Sequence, residues 1–292
     1  MLEELEQARK KALLKQLISI GVAILVCIIA FIVFGPHLFG IGLFVGIILA
    51  SFIPRKDINA FKTLYKQNIV VKSLNQICTD VAFDMQKGIN RSVIAETEMM
   101  NMGDHFYSND YVTGKYKNIN FEMADVHIEE ESTDSDGNTT YYTIFRGQWY
   151  IFDFNKTFKA NVQVCEKGFG NAKRGKLFAK KEEKYKKVEL EDIEFNKMYK
   201  VYAQNELDAF YILTPGIMEK IKNVNAKIKG KVLFCFIDNK LHIGLYNNKD
   251  LFEASIYKKI DLDAAMKKTN EEISIITDFV DILSLDNDLF KN

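Results

Sequence analysis

Residues 17–53 read LISIGVAILVCIIAFIVFGPHLFGIGLFVGIILASFI, a run without a single Asp, Glu, Lys or Arg. One helix needs roughly 20 apolar residues to cross the hydrocarbon layer of a bilayer, so a run of this length must be divided. Gly35-Pro36-His37 is the natural divider, because Pro lacks a backbone N–H and disfavours helix at the residue before it. The expected arrangement is a transmembrane hairpin of two short spans, Leu17 to Phe34 and Leu38 to Ile53. Arg9, Lys10, Lys11 and Lys15 precede it and Arg55 and Lys56 follow it, while the turn carries no basic residue. That bias predicts a multi-pass protein of the inner membrane with both termini cytoplasmic. Gly35, Gly40, Gly42 and Gly46 favour close approach of the two helices. A cleaved signal peptide fits less well, because a second apolar run follows at once and no Ala-x-Ala-like site separates the two.

Outward from this run, residues 2–16 read as an amphipathic cytoplasmic helix, with Leu2, Leu5 and Leu13 among charges. After Pro54, apolar residues at Ile58, Phe61, Leu64, Tyr65, Val71, Leu74, Ile77, Cys78, Val81 and Met85 recur at three and four. The spacing predicts a connecting helical region over 55–100 with one buried face. From about Tyr111 the pattern turns to strands. Residues 118–131 and 139–154 flank the turn Asp134-Ser-Asp-Gly-Asn138, a long hairpin with Trp149 inside it. Further strands are expected at 160–166, 199–203, 207–213, 232–237 and 241–246. Helices are expected at 190–198, from the N-cap Thr214 and Pro215 through Lys227, and over 261–283. The predicted fold is α+β: an N-terminal transmembrane helical hairpin, then a cytosolic domain over 101–292 with a mainly antiparallel sheet covered by helices.

Composition narrows the function. The 292 residues carry 39 basic and 39 acidic side chains, so no net field recommends a nucleic-acid partner. With 48% hydrophobic residues and only three Pro, the chain outside the apolar run has the makings of a buried core. Cys27 lies in the apolar run, and Cys78, Cys165 and Cys235 are far apart, a pattern of ordinary thiols in a reducing compartment. Neither the cysteines nor His37, His105, His127 and His242 have the short spacing of a structural metal site.

Several phrases together resemble a family of bacterial membrane proteins known as domain of unknown function 3137. They are Asp110-Tyr-Val-Thr-Gly114, Phe145-Arg-Gly147, Tyr150-Ile-Phe-Asp-Phe-Asn155-Lys156 with Phe158, Glu191-Asp192 with Glu194-Phe195, Val201-Tyr-Ala-Gln204, and Tyr211-Ile-Leu-Thr-Pro215 with Met218. They occur in order between about Gln67 and Tyr246. Around Phe121 to His127 the family tends to place an acidic residue before Leu and His, where this chain has Asp125 and Val126 before His127. The resemblance implies a fold and a membrane location; it brings no activity, cofactor or catalytic residue.

Few residues stand out as sites. Asp134-Ser-Asp-Gly-Asn138 begins like a calcium loop, but the uncharged strand from Thr139 lacks the closing Glu, so a hairpin turn is expected. Gly168-Phe-Gly170 with Gly175 lacks the spacing of a phosphate loop. Glu129 and Glu131 share a strand face with His127, yet a paired site needs a partner from a second element. The stretch from Lys167 to Lys187 is basic, and Lys173, Arg174, Lys176, Lys180 and Lys181 are the candidates for contact with anionic lipid headgroups. No catalytic, cofactor or metal residue is assigned. The expected function is a membrane-anchored binding or scaffolding module that meets a lipid headgroup or a protein at the inner face. The alternative is an enzyme with a deep pocket into which His127 or His242 converges.

Overall fold

The computed structural model describes residues 1–35, 39–153, 161–169 and 184–285. They form two compact units: Met1–Ser73 with Phe252–Glu271, and Leu74–Leu251 with Glu272–Asn292.

The first unit is helical. Helix α1 (Leu2–Phe34) runs unbroken for 33 residues, so the amphipathic segment and the first apolar stretch are one rod of about 50 Å. It stops at Gly35, whose φ of 68° suits a residue without a Cβ and whose N–H bonds the Phe31 carbonyl at 2.9 Å. Helix α2 (Phe39–Phe52) is 14 residues, about 21 Å, and packs along α1. Glycine sets their separation: a methyl group at Gly42 would stand 2.5 Å from the Ala30 Cβ, and one at Gly46 would stand 3.1 Å from the Ala23 carbonyl. Among the described residues α1 alone is long and apolar enough to cross a membrane, and almost none of that stretch is covered by protein. Its lower half is different. Leu5, Arg9 and Ala12 are buried, and Ala12 packs with Phe61 of α3 (Arg55–Tyr65) and Ile256. The Arg9 guanidinium donates to the Ile256 carbonyl at 2.7 Å and holds Glu6, while Lys11 pairs with Asp57 at 3.0 Å. A π-helical turn, Lys66–Val70, follows α3 and leads into α4 (Val71–Ile77).

The second unit is built on one nine-stranded sheet whose neighbouring strands all run antiparallel, in agreement with the expected class. The strands are β1 (Thr79–Asp84), β2 (His105–Tyr116), β3 (Ile119–Thr133), β4 (Thr139–Asp153), β5 (Val162–Glu166), β6 (Lys186–Val188), β7 (Tyr199–Ala203), β8 (Lys231–Ile237) and β9 (Lys240–Tyr246). Their order is β1-β2-β3-β4-β9-β8-β5-β7-β6. The long hairpin is β3 and β4, paired from Phe121 opposite Phe152 to Thr133 opposite Thr139, with the register shifting by one residue between Ile128 and Glu129. Asp134 closes its turn: its carboxylate accepts from the N–H groups of Asp136 and Asn138 and is held below its ordinary pKa by those bonds, so the calcium-like phrase serves as a turn.

Alternation along the strands sorts the side chains onto two faces. On one face Ala124, Val126, Ile128, Phe145, Trp149, Ile151, Leu233 and Cys235 pack with Ile89, Ile94, Met99 and Met100 from the segment around α5 (Arg91–Glu96). On the other lie Phe121, Met123, Tyr150, Phe152, Leu241, Ile243 and Leu245, all buried. Phe279 of α9 (Leu262–Leu283) sets its ring edge-on against Tyr150 at 5.0 Å and Phe152 at 6.2 Å. Helix α8 (Pro215–Lys227) begins where Thr214 and Pro215 predict, with the Thr214 hydroxyl accepting from the Ile217 N–H. Its Ile217, Ile221 and Val224 are buried. The short helix α6 (Ile193–Met198) is capped by Asp192. The outermost β6 is three residues long with exposed Lys186 and Lys187, a strand edge that resists further pairing.

Two sequence expectations are corrected. Residues 207–213 do not form a strand but helix α7 (Glu206–Ile212): Asn205 caps it by accepting from the Leu207 N–H, and Glu206 and Asp208 sit in its first turn, where the helix dipole favours them. The helical periodicity after Pro54 does not persist to Met85, because residues 79–84 leave the helix and pair with β2 as β1.

Candidate functional site

The sheet brings together side chains far apart in sequence into an open cleft of about 370 Å3. β1 supplies Asp80, β2 Tyr111 and Lys115, β3 Asn120 and Glu122, β4 Asp153 and β9 Lys240. Strand pairing explains the convergence: Glu122 lies opposite Thr113 and Ile151, and Asp153 lies opposite Lys240. Each polar group has a partner. The Tyr111 hydroxyl donates to Glu122 at 2.5 Å, and Lys240 reaches the other oxygen of Glu122 at 3.2 Å and Asp153 at 4.0 Å. Asn120 donates to Asp153 at 2.7 Å, and Lys115 pairs with Asp80 at 2.8 Å. Burial, and then the bond to Glu122, push the Tyr111 phenol above its usual range, so it remains a donor at neutral pH. Three carboxylates face two lysines across this cleft. The excess of acceptors suits a cationic or hydroxyl-rich ligand that can exchange hydrogen bonds with the ladder.

Beside the cleft, the Trp149 indole N–H donates to His242 Nδ1 at 3.3 Å. Burial, with the charge of Lys240 adding to it, lowers the His242 pKa to about 4, so the ring is neutral and its Nδ1 is committed to Trp149. His127 lies on the opposite face of the sheet, near Glu129 Oε1 at 3.3 Å. That approach has ion-pair distance without hydrogen-bond geometry, so we read it as proximity alone. The second element that the Glu129 and Glu131 pattern lacked is β2, whose His105 meets Glu131 at 3.0 Å. Among the described residues no three His, Cys, Asp or Glu side chains are grouped to hold a metal ion. The four cysteines are free thiols. Lys173, Arg174, Lys176, Lys180 and Lys181 lie outside the described residues.

Sequence reading missed a buried polar network under the other face. β2 bulges between Asn109 and Val112, with Asp110 at φ 56° and fully buried. Opposite Asn109, Asp125 accepts from Gln148 Nε2 and from the Leu251 N–H, each at 2.9 Å. Gln148 also donates to the Lys249 carbonyl and accepts from Asn247. Burial dominates and raises the Asp125 pKa to about 8, with Asp110 and Asp250 adding repulsion against the two hydrogen bonds. A signal was present: Asp125 continues the buried alternation of Phe121 and Met123, a place where a carboxylate needs partners.

Comparison with known proteins gives a family match over part of the chain. The model described as protein of unknown function, DUF3137, matches residues 143–285, confirming the resemblance carried by the phrases from Phe145 onward; Asp110 to Gly114 lies before the match. No curated protein sequence matches the chain. A solved structure, that of the mycobacterial trehalose monomycolate transport factor A, TtfA, aligns with 77% of this chain and 94% of that chain at 10% identity and a TM-score of 0.40, too distant to carry over a role.

Proposed function

Taking residues 143–285 as a DUF3137 domain, we propose that the protein is a membrane-anchored binding module whose second unit presents the polar cleft to a cationic or hydroxyl-rich ligand. The apolar part of α1 and α2 form a two-span hairpin, and both termini are cytoplasmic. One observation carries the reading. α1 exposes Ile24, Leu25, Ile28, Ile32 and Val33 along its upper half, yet Leu5, Arg9 and Ala12 of its lower half are built into the first unit. A bare apolar collar of this size needs lipid around it. A cleaved leader would take that buried contact with it, so the same helix is both part of the fold and its anchor. α2 alone is shorter than a hydrocarbon layer of about 30 Å, a mismatch that local thinning of the bilayer accommodates on this reading. The basic residues Lys173, Arg174, Lys176, Lys180 and Lys181 add contact with anionic headgroups on this reading.

The test is extraction of membranes at alkaline pH, with the mass of the mature chain measured and cysteine labelling at position 37 and at each terminus. Retention of the full-length chain, with position 37 labelled from outside and the termini only after lysis, is the expected result. Release into the supernatant, or a chain shortened at its N-terminus, sinks the anchor.

A further inference from the structure

We propose that a second cleft, in the first unit, holds the phosphate headgroup of an anionic membrane lipid; the inference rests on the membrane-anchored reading. The cleft has a volume of about 530 Å3 and lies between α3 and residues 253–268. Its floor is aromatic, from Phe61 and Tyr65, both buried. Its rim is basic. Lys258 and Lys259 line it, exposed and without a hydrogen bond or ion pair among the described residues, and Lys268 joins them from α9 while donating to the Glu253 carbonyl at 2.9 Å.

The two carboxylates of the lining offset only part of that charge. Glu253 is engaged by Lys62 at 2.6 Å and by the buried Lys66 at 3.2 Å, and Asp261 accepts from the Ala264 N–H at the start of α9. Three lysines of the lining therefore meet two carboxylates, of which Glu253 is already paired with Lys62 and Lys66 from outside it. A cationic rim over an aromatic floor matches a group that is anionic at one end and apolar at the other, which is the chemistry of a phospholipid where headgroup meets acyl chain.

Position within the unit selects the membrane as the source. Phe61 of the cleft floor packs in one cluster with Ala12 and Ile256, and Ala12 lies five residues before Leu17, about 7.5 Å along α1. Headgroup layers extend roughly 5–8 Å beyond the hydrocarbon on each side, so a lysine reaching up from this level meets phosphates. Exposed Tyr257 beside Lys258 and Lys259 is the aromatic and basic combination that favours the interface.

The experiment is native mass spectrometry of the full chain released from micelles containing equal phosphatidylglycerol and phosphatidylcholine. Two variants accompany the parent. Lys258→Gln with Lys259→Gln removes free charge, and Ala265→Trp fills the cleft while keeping every lysine. The expected result is a phosphatidylglycerol adduct in clear excess over phosphatidylcholine, reduced about tenfold in both variants. Equal adducts, or an excess that Ala265→Trp leaves intact, overturns the site, the latter because it assigns binding to surface charge alone. Displacement by inorganic phosphate at the lipid's own concentration also overturns it, in favour of a soluble anion. Alkaline extraction of the membranes from which that chain is purified separates the two readings: a chain that stays in the membrane without lipid preference loses only this inference.

Discussion

Substituting Asp125 by Asn should remove a pH dependence that the wild-type fold carries. The carboxyl has an ordinary pKa of 3.8 and one of about 8 in the fold, raised chiefly by burial. Between those values the native state keeps a proton that the unfolded chain has shed, so stability falls as pH rises, and the full penalty is present above the folded pKa. Each pH unit in the window is worth up to about 1.4 kcal/mol, which makes about 4 kcal/mol between pH 5 and pH 8. The amide of Asp125→Asn does not titrate. It loses one acceptor facing the Gln148 or Leu251 N–H, a cost of about 1–3 kcal/mol that is the same at every pH. Other carboxylates contribute equally to both proteins, so the useful quantity is the difference between them. Trp149 reports it: it is the sole tryptophan, fully buried in β4, one residue from Gln148. Denaturant unfolding of both full chains in detergent, followed by its fluorescence at pH 5, 6, 7 and 8, should show the wild type losing ground steadily to the variant. A difference that stays flat across that range would refute a buried, proton-holding Asp125.

Three further outcomes follow from packing. Gly147→Ala places a methyl against the Leu245 carbonyl oxygen on the neighbouring strand, so thermal unfolding should show a loss of about 2–4 kcal/mol; an unchanged midpoint would contradict the close β4–β9 approach. Phe279→Ala removes a fully buried ring from Tyr150 and Phe152 and should cost about 3–5 kcal/mol by denaturant titration, whereas Tyr257→Ala, at an exposed position, should cost under about 0.5 kcal/mol. Gly42→Val forces α2 away from Ala30; cross-linking between cysteines placed at 26 and 45 should fall severalfold, and undiminished cross-linking would show that the helices meet elsewhere.

Much of the architecture was legible because it depends on local chemistry. Thr214-Pro215 announces α8, and Asp134 to Asn138 announces the β3–β4 turn through residues that bond their own backbone. Residues 207–213 were opaque for the opposite reason: Leu207, Phe210 and Tyr211 suit a strand by propensity, and the cap at Asn205 decides the matter. The cleft was illegible. Glu122, Asp153 and Lys240 meet only because β9 crosses to lie beside β4, a pairing that single-strand patterns do not specify. Asp125 hid for a different reason, since its partners Gln148 and Leu251 belong to other parts of the sheet and its loops.

The unbroken course of α1 has a mechanical side. On the membrane-anchored reading proposed above, a helix without a hinge between its apolar half and its buried half would behave as a lever with its fulcrum at the membrane surface. The lower 16 residues make an arm of about 24 Å, so tilting the rod by about 10° swings its far end by about 4 Å. Short spans adjust their tilt to the thickness of the bilayer around them. On that reading lipid composition would be converted into displacement of the packed base where Leu5, Arg9 and Ala12 are seated, as pressure on a gauge needle is converted into travel.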